Sequence, residues 1–170
     1  MTTNPALILI FGALPIPLLQ GRLRTAYLLA LPLVGLGYAF ALEPGLHWQV
    51  DFMGYGLELL RVDRLSRVFS YIFFFAAFLG NLYALNDNDP VQQVAAQVYA
   101  GSAIGAVFAG DLITLFVFWE LTAVSSVFLI WARGTERAYR AGMRFLIIQV
   151  GSGVLLLAGL ILNVRDTGSI

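Results

Sequence analysis

A continuous apolar stretch from Leu112 to Trp131 constrains this chain more than any other feature. It reads Leu-Ile-Thr-Leu-Phe-Val-Phe-Trp-Glu-Leu-Thr-Ala-Val-Ser-Ser-Val-Phe-Leu-Ile-Trp and contains one ionisable residue, Glu120. An α-helix rises about 1.5 Å per residue, so a helix of this length matches the hydrocarbon thickness of a bilayer. The stretch therefore predicts a transmembrane helix with Glu120 close to the membrane midplane.

The composition of the whole chain agrees with a membrane protein and excludes several other classes. Hydrophobic residues make up 59% of the 170 residues, charged residues 12%, and the mean hydropathy is +0.82. The formal net charge is zero, so no basic surface is available for nucleic acid. The chain has no cysteine and one histidine, which excludes cysteine-ligated clusters and bis-histidine haem. We therefore expect an integral membrane protein without a cofactor, metal or nucleic-acid partner.

Hydropathy predicts an all-α polytopic fold with about six transmembrane helices. Between the second and third helices, the alternating residues from His47 to Val62 predict a short external β-hairpin. Arginines are more frequent in the loops after the first, third and fifth helices, which predicts an external N-terminus by the positive-inside rule. Small residues at Gly101, Gly105 and Gly151, Gly159 predict close helix packing. The predicted spans lie near residues 4–20, 25–42, 65–85, 92–109, 112–131 and 140–163.

Glu120 is the first candidate for chemistry, because an ionisable side chain at membrane depth usually marks a proton or ion pathway. Its neighbours on the same helical face are Phe116, Val117, Ala123 and Val124, none of which can hydrogen-bond a carboxylate. A partner must then come from another helix or another chain. The functional interpretation is a proton-loading acid that changes partners, and the structural alternative is a protonated acid that links two helices.

Arg144 and Gln149 in the sixth helix are weaker candidates for the same pathway. Arg144 is the deepest of three arginines on one helical face, and its alternative role is to extend towards the lipid headgroups. Gln149 has a side chain suited to a water wire, or to a bridge between helices. Asp111 and Asp63 precede helices and are predicted to cap them, with a surface ion pair from Asp63 to Arg67.

Three segments resemble the antiporter-like proton-translocating subunits, which include the D-type subunits of the Mrp cation/proton antiporters and the membrane pumping subunits of NADH-quinone oxidoreductase. They are Asp111-Leu-Ile-Thr-Leu-Phe-Val-Phe-Trp-Glu-Leu121, Val62-Asp-Arg-Leu-Ser-Arg-Val-Phe69 and Ala141-Gly-Met-Arg-Phe-Leu-Ile-Ile-Gln149. The Gly-Met-Arg segment favours the Mrp D-type branch. The resemblance implies that Glu120 is the acid of a proton-transfer path and that the location is a bacterial cytoplasmic membrane.

The chain departs from that family in one respect. Family members pair the glutamate with a lysine on a later helix, whereas all ten basic residues here are arginine. We therefore expect only the N-terminal part of the family scaffold, with a missing C-terminal half supplied in the same polypeptide or by a separate one. Residues 1–91 would form a three-helix segment with the hairpin, and residues 92–170 the incomplete start of the proton-translocating repeat.

The resemblance implies a membrane subunit of a multisubunit monovalent cation/proton antiporter, which is a transporter rather than an enzyme. Its partners would be other hydrophobic subunits, protons and a monovalent cation. Two alternatives stay open. One is a proton-pumping membrane subunit, and thus a translocase subunit, of an NADH-quinone oxidoreductase-like complex. The other is an assembly scaffold that transports nothing.

Overall fold

The computed structural model describes residues 3–52, 55–86 and 89–167, and these residues are mostly helical. The described elements follow the chain in this order: α1 (Ala6–Gly12), a short 3-10 helix (Ile16–Leu18), α2 (Gly21–Ala41), β1 (Gly45–Phe52), β2 (Tyr55–Val62), α3 (Arg64–Tyr83), α4 (Pro90–Phe108), α5 (Leu112–Trp131) and α6 (Glu136–Thr167).

The N-terminal segment is broken, in contrast to the single span predicted near residues 4–20. Seven residues of α1 are followed by a turn and the three-residue 3-10 helix. Pro15 and Pro17 explain the break, since proline has no backbone N–H to donate and its ring clashes with the preceding helical turn. Both parts of the broken segment still pack beside α4, and Pro17 lies near Pro90 at the start of that helix.

Within the described residues, four helices are long and apolar enough to cross a membrane, namely α2, α3, α5 and α6. Each overlaps one of the predicted spans, so the integral membrane class and the helical fold are as expected. Helix α4 is 19 residues long but carries Gln92, Gln93 and Gln97. It packs against α1, α3 and α5, and this central position suits its more polar sequence. The count of six spans remains a prediction, as does the domain division at residue 91.

The predicted β-hairpin is confirmed. Strands β1 and β2 pair antiparallel, with Gly45 opposite Val62 and Phe52 opposite Tyr55, while residues 53 and 54 between them lie outside the described ranges. The hydrogen bonds that hold the hairpin on one end of the helical bundle include two to carbonyl groups of β2. Asn4 Nδ2 donates to the Leu59 carbonyl at 3.0 Å, and the Gly110 N–H donates to the Glu58 carbonyl at 2.9 Å.

Glycines in α4 allow the close helix packing predicted for that helix. A Cβ atom at Gly101 would lie 3.0 Å from the Ala6 carbonyl oxygen of α1, and one at Gly105 would overlap the Phe118 ring of α5. In α6, by contrast, Gly151 and Gly159 have no described atom close to where a Cβ would be. Within the described residues, the predicted packing is therefore not found at these two glycines.

Candidate functional site

Helix α5 places Glu120 well inside the apolar part of the bundle. The helix begins at Leu112, and Asp111 caps it by accepting a hydrogen bond from the Thr114 N–H at 2.7 Å. Glu120 is the ninth residue of α5, so it lies about 12 Å along the axis from the first. The predicted role of Asp111 as the cap of this helix is confirmed.

The carboxyl group of Glu120 lies against the backbone of α6 at Gly153. A Cβ atom at Gly153 would overlap Oε1 and would lie 2.7 Å from Cδ and 3.0 Å from Oε2 of Glu120. Gly153 itself is buried, while the Glu120 side chain is half-buried. Only a residue without a side chain leaves room for the carboxyl group in this position.

Glu120 Oε1 is enclosed, and within the described residues it has no hydrogen-bond partner. Burial of a polar oxygen without a partner is costly, most of all when the group is charged. Arg140 Nε and Glu136 Oε1 form an ion pair at 3.5 Å, but it lies at the exposed start of α6. The same-face neighbours offer Glu120 no donor, as expected.

A cavity of about 810 Å³ lies between α3, α4, α5 and α6, at the level of Glu120 along α5. Its lining is mostly apolar and includes Trp119, Thr122 and Ser126 of α5 and Gln149 of α6. The two hydroxyls already donate within their own helix, Thr122 Oγ1 to the Phe118 carbonyl at 2.8 Å and Ser126 Oγ to the Ala123 carbonyl at 2.6 Å. Among the described residues, Gln149 is thus the polar side chain of α6 that lines the cavity and does not already donate a hydrogen bond within its own helix.

The structure does not bring all three predicted site residues together. Gln149 is four residues before Gly153, which places the two on one face of α6 and brings Gln149 to the Glu120 side of the helix. Arg144 is nine residues before Gly153, or about 13 Å along the helix axis, and its side chain is exposed. This geometry separates Arg144 from Glu120 and agrees with the alternative in which Arg144 extends towards lipid headgroups.

Sequence reasoning missed Gly153, because its contact with Glu120 depends on the register between α5 and α6, which one structural contact near the turn reveals. Helices α5 and α6 are antiparallel neighbours joined by a short turn, and Gly142 of α6 packs against the Trp131 ring at the end of α5. Eleven residues back from Trp131 is Glu120, and eleven residues on from Gly142 is Gly153. Since eleven residues make about three helical turns, the contact nearest the turn predicts the contact at Glu120.

Comparison with known proteins connects this site with a family of membrane subunits. Residues 109–170, which include Glu120 and Gly153, match the family described as NADH:quinone oxidoreductase/Mrp antiporter, transmembrane. The chain is 36% identical over 132 residues to the probable A/B subunit of a K(+)/H(+) antiporter of Rhizobium meliloti, covering 73% of this chain and 13% of that protein. It is 36% identical over 120 residues to the putative antiporter subunit mnhA2 of Staphylococcus aureus, covering 65% of this chain and 15% of that protein.

A solved structure has the same fold over nearly the whole chain. It is a chain of the membrane-bound sulfane sulfur reductase, an archaeal respiratory membrane complex, with a TM-score of 0.79 and 20% sequence identity. The match covers 98% of this chain and 37% of that one. The chain thus spans only a small part of the curated relatives and about a third of the structural relative.

The names of these relatives can be compared with the family and the branch that the sequence motifs indicated. The two antiporter relatives named above carry A-type names, so the D-type branch favoured by the Gly-Met-Arg segment remains a prediction. The family itself is the one that the Phe-Trp-Glu-Leu motif indicated. Residues 109–170 belong to the NADH:quinone oxidoreductase/Mrp antiporter transmembrane family, and the chain as a whole is similar to part of an antiporter-like membrane subunit.

Proposed function

We propose that this chain is part of a membrane subunit of a multisubunit monovalent cation/proton antiporter and that Glu120 carries protons through it. The observation that carries the proposal is the position of the Glu120 carboxyl group: inside a membrane-crossing helix, with Oε1 enclosed and without a described hydrogen-bond donor. A carboxyl group in such a place gains or loses a proton when a charged partner or a water chain reaches it.

The relatives support the antiporter class for the whole assembly. The Rhizobium meliloti relative is named for a probable K(+)/H(+) antiporter, and the Staphylococcus aureus relative for a putative antiporter. We extend those names to this chain as a proposal, with protons and a monovalent cation as the transported ions and other hydrophobic subunits as partners. The membrane is proposed to be the bacterial cytoplasmic membrane, with the N-terminus external.

The second candidate function is a proton-pumping membrane subunit of a respiratory complex. The fold shared with a chain of an archaeal respiratory membrane complex favours it. In that case a redox reaction elsewhere in the complex would drive the proton through Glu120. The third candidate, an assembly scaffold, would leave Glu120 with a structural role only.

Replacement of Glu120 by glutamine tests the proposal in the assembled complex. Inverted membrane vesicles are given a pH gradient, and its collapse on addition of NaCl or KCl is followed with a pH-sensitive dye, without an electron donor. Glutamine keeps the size of the side chain but cannot titrate, so we expect the cation-dependent proton flux of E120Q to fall at least about a hundredfold. Retained flux would contradict the proton-carrying role.

A matched substitution controls for the loss of a negative charge. Glu136→Gln removes a glutamate whose side chain is 74% exposed and pairs with Arg140 at the surface. We expect its flux to equal that of the wild type, because exposed ion pairs contribute little. Loss of the protein from the complex in E120Q alone would support the scaffold, and a flux that requires an electron donor would support the respiratory alternative.

A further inference from the structure

The position of the Glu120 carboxyl group depends on one glycine of the neighbouring helix. Oε1 and Oε2 both lie so near the Gly153 Cα that a methyl group there would overlap one oxygen and touch the other. Oε1 is enclosed at this contact. The carboxyl group therefore occupies the space that a side chain at position 153 would fill.

The other small residues of α6 do not share this property. Gly151 and Gly159 have no described atom within 4 Å of an added Cβ, and both face away from the bundle as exposed residues. Gly142, nearer the start of α6, packs against the Trp131 ring. Of the four glycines of α6, Gly153 is therefore the one whose missing side chain leaves room for an ionisable group.

We propose that Gly153 is a positioning residue for Glu120 and fixes where in the bundle the carboxyl group exchanges its proton. This inference rests on the proposed role of Glu120. It assigns Gly153 a purpose beyond helix packing, since a proton passes between groups only when donor and acceptor are within hydrogen-bond reach. A displacement of about 1 Å at a reacting group can lower a rate by about a hundredfold.

The Gly153→Ala variant displaces the carboxyl group with little other change. Alanine in a helix interior is more favourable than glycine by about 1 kcal/mol, so the variant helix itself should be stable. We expect normal amounts of the protein in the complex and a proton flux reduced by about tenfold to a hundredfold. Gly151→Ala and Gly159→Ala are the matched controls, with the same substitution in open surroundings and an expected wild-type flux.

Two measurements separate positioning from general damage to the bundle. Glu120→Asp shortens the acid by one methylene group, so the double variant G153A/E120D relieves the overlap and should transport better than G153A alone. In addition, dicyclohexylcarbodiimide, a hydrophobic reagent that modifies carboxyl groups in membranes, reports the exposure of Glu120 directly. Mass spectrometry should show faster modification of Glu120 in G153A than in G151A, because displacement uncovers Oε1.

The outcomes for Gly153 and for Glu120 can be told apart. If E120Q transports normally, the proposed function is wrong, yet the carbodiimide measurement still tests whether Gly153 positions the carboxyl group. If E120Q is inactive while G153A matches G151A in flux and in modification, the positioning role alone is overturned. Reduced flux in G153A without rescue by E120D and without faster modification would also overturn it.

Discussion

At the scale of single residues, the carboxylates of this chain have contrasting surroundings that suit contrasting roles. Asp111 accepts hydrogen bonds from the Thr114 N–H, the Thr114 hydroxyl and the Glu58 N–H, all between 2.6 and 2.7 Å. These three hydrogen bonds fix the carboxyl group in place at the start of α5. Glu120 has no such donors among the described residues, and this difference supports the role that we propose for it as a proton-carrying acid.

Asp63 gives a prediction about pH, because it caps α3 at the end of the hairpin. The Ser66 N–H, which donates to Asp63 Oδ1 at 2.6 Å, lowers the pKa of this carboxyl below its ordinary value of 3.8. A lowered pKa in the folded state adds stability above the unfolded-state pKa, and this stability is lost as the pH falls through the folded-state pKa. We expect thermal unfolding temperatures in detergent to fall as the pH drops below 3.8, partly through this group.

The variant Asp63→Asn isolates that contribution. Asparagine also caps helices well but does not titrate, so the unfolding temperature of D63N should fall less steeply with acid than that of the wild type. Other carboxylates titrate equally in both proteins and cancel in the comparison. Identical slopes in the two proteins would show that the Ser66 contact does not stabilise the ionised form.

The predicted ion pair from Asp63 to Arg67 is absent from the described structure, where Arg67 Nε donates to the Tyr71 hydroxyl at 3.1 Å.

At the scale of secondary-structure elements, Asp111 joins the hairpin to the helix that carries Glu120. Its two oxygens bind the first turn of α5 and the backbone of β2 at once, and Gly110 adds a backbone hydrogen bond to the same strand. A Cβ at Gly110 would lie 2.6 Å from Glu58 Cβ, so glycine permits this close approach. The start of α5 is thereby fixed against the hairpin.

Asp111→Ala should therefore destabilise the protein more than the loss of an ordinary helix cap. Removal of a cap costs about 1 kcal/mol, and a backbone N–H left without its acceptor costs about 1 to 3 kcal/mol more. We expect a lower unfolding temperature in detergent and faster amide hydrogen exchange in residues 55–62. The control is Thr135→Ala, which removes an exposed cap of α6 that accepts a single 3.1 Å hydrogen bond from Ala138 N–H. Equal effects of the two variants would contradict a link to the hairpin.

At the scale of the whole molecule, features set by local sequence were predictable and features set by helix register were not. Apolar length alone locates α2, α3, α5 and α6, and alternation locates the hairpin. The break after Gly12 follows from two prolines whose effect a hydropathy average does not weigh. The contact between Glu120 and Gly153 depends on the register in which α5 and α6 pack. This register pairs residues that are 33 positions apart in the sequence.

The same packing fixes which ends of the helices share a side of the membrane. The hairpin contacts the turn between α4 and α5 through Gly110 and Glu58. The turn between α5 and α6 lies at the opposite end of α5, with Gly134 in a left-handed conformation at φ 65°. If α5 crosses the bilayer, the hairpin and residues 132–135 must face opposite compartments. Arg133 in this turn and Arg137 and Arg140 at the start of α6 are then expected on the cytoplasmic side.

Single cysteines test this arrangement, because these 170 residues contain no cysteine of their own. Gln49→Cys places a thiol in β1 of the hairpin, and Thr135→Cys places one in the exposed turn before α6. In intact cells a membrane-impermeant maleimide should label position 49, whereas position 135 should be labelled only after the membrane is permeabilised. Labelling of both positions from one side would mean that α5 does not cross the bilayer. Labelling of position 135 alone would keep the crossing and invert the proposed orientation, which would place the entry side of the Glu120 pathway in the opposite compartment.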